Sequence, residues 1–285
     1  MTALAEKSTV DTNRTPSPGE QFARAYAADP ERAEVRFDHT ITDVFTPLAD
    51  RPRVTVRDLF RKRLVGNGNV RVWCESRVDG REAADVTESG LRREAAFRFG
   101  SAEFGVAPIR AWVRIPDGLS GDELAAFVDR RLVVRLMTAE NQALTIGEHG
   151  VLRHPGVARL PYRGSYVNGL LAACDEIEQT GATAHALVVN PRDFYTHLVG
   201  AGSLLGDLAR NGTLISRTRM VAPGEALAGD FAVAAELLDA GRSLIKVVAE
   251  PPAGTFAEPG PAVYAEVYEG LAVHLPTHFF HVVPA

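Results

Sequence analysis

Three stretches of this sequence hold residue types that could do chemistry. Gly200-Ala201-Gly202-Ser203-Leu204-Leu205-Gly206 places glycines where backbone could approach a pyrophosphate, as in a dinucleotide site. Its context does not fit: the preceding segment, Arg192–Val199, reads as helix rather than strand, and the glycine spacing is one residue too long. The segment reads as an ordinary loop, with a Rossmann-like nucleotide-binding enzyme kept as an alternative. His274, His278 and His281 invite a metal reading, since neutral imidazoles ligate zinc. A structural zinc site needs a fourth ligand, neither Cys74 nor Cys174 is near in sequence, and Pro276 breaks any face the histidines share. They read as strand-end histidines. No serine stands in a Gly-x-Ser-x-Gly elbow, and neither cysteine has a nucleophile's surroundings. Pairs such as Asp175-Glu176 read as solvated helix residues. The expectation is no catalytic residue, no metal and no cofactor.

The elements that must position these residues sit in 285 residues, enough for one large or two ordinary domains. A chain this long buries about 75% of its unfolded surface and needs no disulfides to hold a core. Apolar residues make up 46% and charged residues 24%, which excludes a wholly disordered or collagen-like chain. The formal charge of −5 carries no basic excess of the kind that marks a nucleic-acid binder. No apolar stretch has signal-peptide or transmembrane length, so a cytoplasmic protein with no membrane partner is expected. Of 31 basic residues only Lys7, Lys62 and Lys246 are lysine. Arginine suits fixed, fork-shaped interface pairs; a GC-rich genome gives the same skew.

Residues 1 to about 30 are rich in Thr, Ser, Pro and charge, and predict an extended arm with one short helix, Gly19–Ala28. From Arg51 to Arg63 six basic residues face one acid, Asp58. Ion pairs with acidic neighbours or a solvated face explain this run better than a polyanion site. Val70, Val72 and Cys74 then alternate with Arg71, Trp73 and Glu75, a strand pattern. A long polar stretch follows, then a second alternating run from Ala96 to Gly100. Two such arms with a hydrophilic tip form a hairpin that is marginal in water unless something covers it, and a neighbouring subunit could.

Ser120-Gly121-Asp122-Glu123 has the capping-box pattern, and Leu124, Val128, Leu132, Leu136, Ala139 and Ala143 continue as one apolar stripe to about Leu144. At 1.5 Å per residue this helix is ~35 Å long. Beyond Gly147, helix and strand patterns alternate. Val167–Thr180 predicts a helix ended by Gly181, Ala184–Val189 a buried strand, and Pro191 a helix start. Gly200–Gly212 predicts a loop and Gly229-Asp230-Phe231 a turn. Ala232–Leu238 and Ser243–Ala249 follow as separate segments, and the tail predicts strands on either side of a turn at Glu269-Gly270.

In order, these features resemble the major capsid fold of tailed bacteriophages, the Hong Kong 97 type, which encapsulin nanocompartment shells share. Val56-Arg57-Asp58-Leu59 resembles the end of that fold's N-terminal arm, and Val72–Phe104 its extended E-loop. Ile109–Ile115 with Ser120–Leu144 resembles the strand and spine helix of its peripheral domain. Leu187-Val188-Val189-Asn190-Pro191 resembles its axial-domain strand and Asn-Pro turn. The segment from Val221 through Gly229-Asp230-Phe231 resembles the family's run ending in Gly-Asp-Phe, and Val263–Val283 its closing strands.

The resemblance implies an α+β chain laid out as an N-terminal arm (1–69), an E-loop (70–108), a peripheral domain (109–160 and 250–285) and an axial domain (161–249). It implies a self-assembling, non-enzymatic icosahedral shell built from many copies of this chain. Assembly contacts are expected at the E-loop tip, Asp79, Gly80, Arg81 and Glu82. Axial pore-loop positions are expected at Gly200, Gly202, Ser203, Gly206 and Asp207. Two versions follow: an encapsulin enclosing a cargo protein in the cytoplasm, or a phage capsid protein enclosing DNA in a virion. About 70 Pro-rich residues precede the hairpin rather than a long helical scaffolding segment, and Val72–Phe104 contains no lysine for a crosslink. Both features favour an uncleaved, uncrosslinked encapsulin.

Overall fold

The computed structural model describes residues 16–37, 54–66, 69–75, 99–200, 204–256, 260 and 262–285. The chain enters through helix α1 (Pro18–Ala28), which carries a complete capping box. The Ser17 hydroxyl accepts from the Glu20 amide, and the Glu20 carboxylate accepts from the Ser17 amide. The other Ser-x-x-Glu sequence does not cap. Ser120 precedes the spine helix without any side-chain hydrogen bond, because Gly121 takes φ +51° and turns the chain away from the helical path.

That spine runs as α2 (Gly121–Phe127), a π turn (Val128–Val133) and α3 (Val134–Ile146). The expected stripe points inward: Leu124, Val128, Leu132 and Leu136 are buried. They pack on a sheet ordered β1 (Glu34–Arg36), β10 (Ala235–Val248), β11 (Ala262–Val273) and β5 (Ala107–Val113), with β2 (Arg61–Leu64) pairing in parallel with β10. Phe22 of α1, Val113, Ile245 and Val263 complete this core.

A second sheet is ordered β6 (Ala158–Tyr162), β12 (Phe279–Pro284), β9 (Ala226–Gly229), β7 (Ala186–Val189) and β8 (Leu214–Arg217). Helix α4 (Tyr166–Gln179) covers it through Leu170, Ala173 and Ile177. The last strand, β12, therefore lies in the second sheet, whereas β11 lies in the first. Between the sheets, Val56, Leu59, Phe60, Leu237, Val273 and Phe279 form a shared core.

Three local expectations change. The Glu269-Gly270 turn is absent: β11 runs straight through both residues, and Glu269 pairs with Asp239 on one side and Ala107 on the other. Ala232–Leu238 and Ser243–Ala249 are not separate; one strand, β10, continues past an irregularity between Asp239 and Ser243, where Gly241 takes φ +63°. Residues from Leu204 to Arg210 are helical, not loop, because burial of Leu208 outweighs the poor helix propensity of an outward Gly206.

Candidate functional site

Residues 70–75 and 99–104 form a two-stranded ribbon, β3 (Val70–Glu75) and β4 (Phe99–Phe104), set apart from both main sheets. Strand alternation gives it two faces. Val70, Val72 and Phe104 turn inward over Val65, Leu238 and Ala272. Arg71, Trp73, Phe99 and Glu103 turn outward. Trp73 is 68% exposed and Phe99 57% exposed, and Arg71 pairs with Glu103 across the strands. An isolated ribbon of this size with two large aromatics in water is marginal, and exposed aromatic surface of this kind marks association. A tryptophan on the polar side of an alternating strand was already visible in the sequence.

Two contacts hold the ribbon, one at each end of its strands. The Glu75 amide donates to the His274 carbonyl at 2.8 Å. Beyond Phe104, Gly105 crosses against Gly270 of β11, so closely that a Cβ there would meet the Gly105 carbonyl oxygen. Gly270 therefore serves as a crossing point for the ribbon.

The segment 54–64 is gripped by both sheets and the spine. The Ser216 hydroxyl donates to the Val54 carbonyl, and the Val56 amide donates to Asn141. Asp58 accepts from both the amide and the hydroxyl of Thr55. Arg57 is buried, and it reaches Glu140 of α3 at 3.0 Å, Asp239 of β10 at 2.8 Å and Glu269 of β11 at 2.7 Å. Burial opposes its charge, but the Glu269 and Glu140 carboxylates more than compensate and raise its pKa. Next along, Arg61 and Arg63 pair with Glu236. The basic run thus meets acidic partners at Arg57, Arg61 and Arg63; Arg51 and Arg53 lie outside the described residues.

The Gly-Asp-Phe segment is a second joint. Gly229 faces the Phe279 ring so closely that a Cβ would stand 2.2 Å from it. Asp230, buried, accepts from the Thr183 and Val233 amides and caps the short turn Phe231–Ala234. Phe231 sits edge-on to both Phe60 and Phe279 at 5.3 and 5.1 Å. Asn190 does similar work before Pro191, accepting from the Arg192 amide and donating to the Val221 carbonyl.

At the far end of the second sheet, Tyr195, Val199 and Leu214 are exposed, and Arg217 stacks on Phe194 while donating to the Tyr195 hydroxyl. Gly200, Gly206 and Asp207 lie at this end, with Asp207 paired to Arg210. Gly202 and Ser203 lie outside the described residues, as do Asp79, Gly80, Arg81 and Glu82.

The histidines do not converge. His274 Nε2 contacts the Val233 carbonyl, His281 pairs with Glu225, and burial holds His278 below the usual imidazole range beside Asp230. Among the described residues no cluster of three or more His, Cys, Asp or Glu is placed to hold a metal ion. Burial pushes the Cys174 thiol up to about 11, which leaves it protonated and unreactive near neutrality. No helix among the described residues is long and apolar enough to cross a membrane.

No family model matches the sequence, and no curated protein matches it. Solved structures do match. The virus-like particle from Pyrococcus furiosus aligns at a TM-score of 0.55 and 12% identity, covering 80% of this chain and 92% of that one. The capsid of a native GTA particle aligns at 0.53 and 15% identity, covering 81% and 90%. The capsid of the cyanophage P-SCSP1u aligns at 0.50 and 13% identity, covering 82% and 89%. The mixed α+β fold of this chain is the Hong Kong 97-type capsid fold.

Proposed function

We propose that this chain, with its Hong Kong 97-type capsid fold, is a self-assembling shell protein that many copies of itself close into an icosahedral particle. The observation that carries the reading is the ribbon β3–β4. It presents Trp73 and Phe99, 68% and 57% exposed, on its outward face. An adjoining copy, placed by repeated heterologous contacts, would bury that face. Residues 70–108 then act as the E-loop, with Asp79, Gly80, Arg81 and Glu82 at its tip. The exposure of Tyr195, Val199 and Leu214 supports axial contacts there, with Gly200, Gly202, Ser203, Gly206 and Asp207 around any pore. Residues 1–69 are the arm; the peripheral domain takes the spine and the first sheet, with β10 in it, and the axial domain takes the second sheet, with β12 in it.

Within that reading, the chain forms an encapsulin-type compartment that encloses a cargo protein in the cytoplasm. Support comes from an acidic chain, net charge −5, with no lysine in Val72–Phe104 for a covalent crosslink. Helix α1 also folds back onto its own spine, where Phe22 and Ala23 are buried, rather than extending away. A specific observation keeps a second reading: capsids of a phage and of a GTA particle cover as much of this chain as the virus-like particle does, which fits a capsid protein enclosing DNA.

Deleting Gly80–Gly90 tests the shell. The variant should remain a folded, soluble subunit and lose or weaken particle formation; normal assembly of the deletion would overturn the role given to the hairpin. Particles purified from the native host separate the two contents. One stoichiometric co-purifying protein supports the compartment, and bulk packaged DNA replaces it with the phage reading.

A further inference from the structure

The cluster around Arg57 holds more acid than base. One guanidinium meets three carboxylates, and Arg57, Glu140 and Glu269 are each at most 2% exposed. Glu140 and Glu269 crowd the same Arg57 Nε, at 3.0 and 2.7 Å. Two ionised carboxylates buried this close on one guanidinium repel each other, and a proton on one of them relieves the excess charge. The groups facing Glu140 are Arg57 and Asp58 from the turn Arg57–Leu59, Lys62 from β2 and Glu269 from β11. Asp239 of β10 reaches the same guanidinium and is 24% exposed, which gives water and protons a way in.

We propose that Glu140 and Glu269 form a proton-operated latch on the end of the N-terminal arm. With a proton on one of them, the turn Arg57–Leu59 is locked onto α3 and β11. With both ionised, the excess negative charge loosens it. The latch belongs to the single subunit and does not depend on what the chain assembles into or encloses.

Burial pushes the Glu140 carboxyl up to about 7, with Arg57 pulling it back in part. A carboxyl raised on folding favours the folded state when protonated. Its contribution is greatest below the unfolded value near 4.5, declines as pH rises, and is gone above about 7. The window therefore spans mildly acidic to neutral pH.

Hydrogen exchange read by mass spectrometry on the full chain tests this, with protection factors for residues 54–64 compared at pH 5.5 and 8. Each unit by which folding raises a pKa is worth a factor of ten in the linked equilibrium. The arm end should be at least about tenfold better protected at pH 5.5, while α4 shows no such difference. Glu140→Gln keeps the neutral hydrogen-bonding shape at every pH, so its ratio should fall to near one. Glu269→Gln removes the competing carboxylate and should flatten the ratio too, which serves if Glu140→Gln does not fold. Equal protection of the wild-type arm at both pH values would overturn the latch. So would an equal change in α4, or a wild-type ratio retained in the folded variants.

Discussion

A Cβ on Gly270 would stand 2.1 Å from the carbonyl oxygen of Gly105, so these residues meet backbone to backbone where the ribbon joins the main sheet. No side chain can yield there, because the atom in the way is main chain. Gly270→Ala must push the ribbon's base away from β11, an overpacking that costs about 1–3 kcal/mol. Chemical denaturation should show that loss, and an unchanged midpoint would mean the close crossing is not needed.

Arg57 is bonded to three carboxylates, Glu140, Asp239 and Glu269. Arg57→Met leaves Glu140 and Glu269 buried without it, and breaking a buried pair in this way costs about 3–5 kcal/mol. Lysine is no substitute, since Nε and Nη2 reach different carboxylates in a fork that one ammonium does not reproduce. Thermal unfolding of Arg57→Met should fall well below wild type; a midpoint within a degree of it would contradict the cluster's role.

Asp129, on the π turn of the spine, accepts from the Ser17 hydroxyl at 2.6 Å and from the Gly19 amide at 2.7 Å. Its charge also sits at the N-terminus of α1, where the helix dipole favours an anion. Asp129→Ala should release α1 locally at a cost of about 1–3 kcal/mol. Limited proteolysis should then cut within residues 16–37 much faster than in wild type, with α4 unaffected. Equal cutting rates would show that the apolar contacts of Phe22 alone hold the helix.

Glu236 titrates in the opposite sense from Glu140. Burial pushes its carboxyl up, but the Arg61 and Arg63 guanidinium groups outweigh burial and leave it below the usual glutamate value. A depressed carboxyl contributes stability above its unfolded pKa near 4.5, and that contribution disappears as pH falls below it. Wild type and Glu236→Gln should therefore differ in unfolding midpoint at pH 7 and converge toward pH 3. A gap that persists at pH 3 would point to packing rather than charge.

The parts of this fold that are local in sequence were legible. The spine's stripe, the strand Ala186–Val189 and the Asn190 cap each follow from neighbours within a few residues. What was not legible depended on distant partners. Glu269-Gly270 has the composition of a turn, yet Gly270 is there to admit Gly105. Ser120 and Ser17 open identical patterns, and one φ angle at Gly121 decides which of them caps. The partners of Arg57 lie up to 212 residues away, so sequence showed only that the basic run needed acids. Trp73 is the exception, since alternation alone placed it on the outer face of the ribbon.

Shell formation is tested most directly by expressing the chain alone and measuring the mass of the purified product by light scattering, with negative-stain images of the same sample. Closed particles of many subunits, uniform in diameter, are the expected result across ordinary salt conditions. A product that stays monomeric or forms only small oligomers under all of them would contradict the assembly of this chain into a shell.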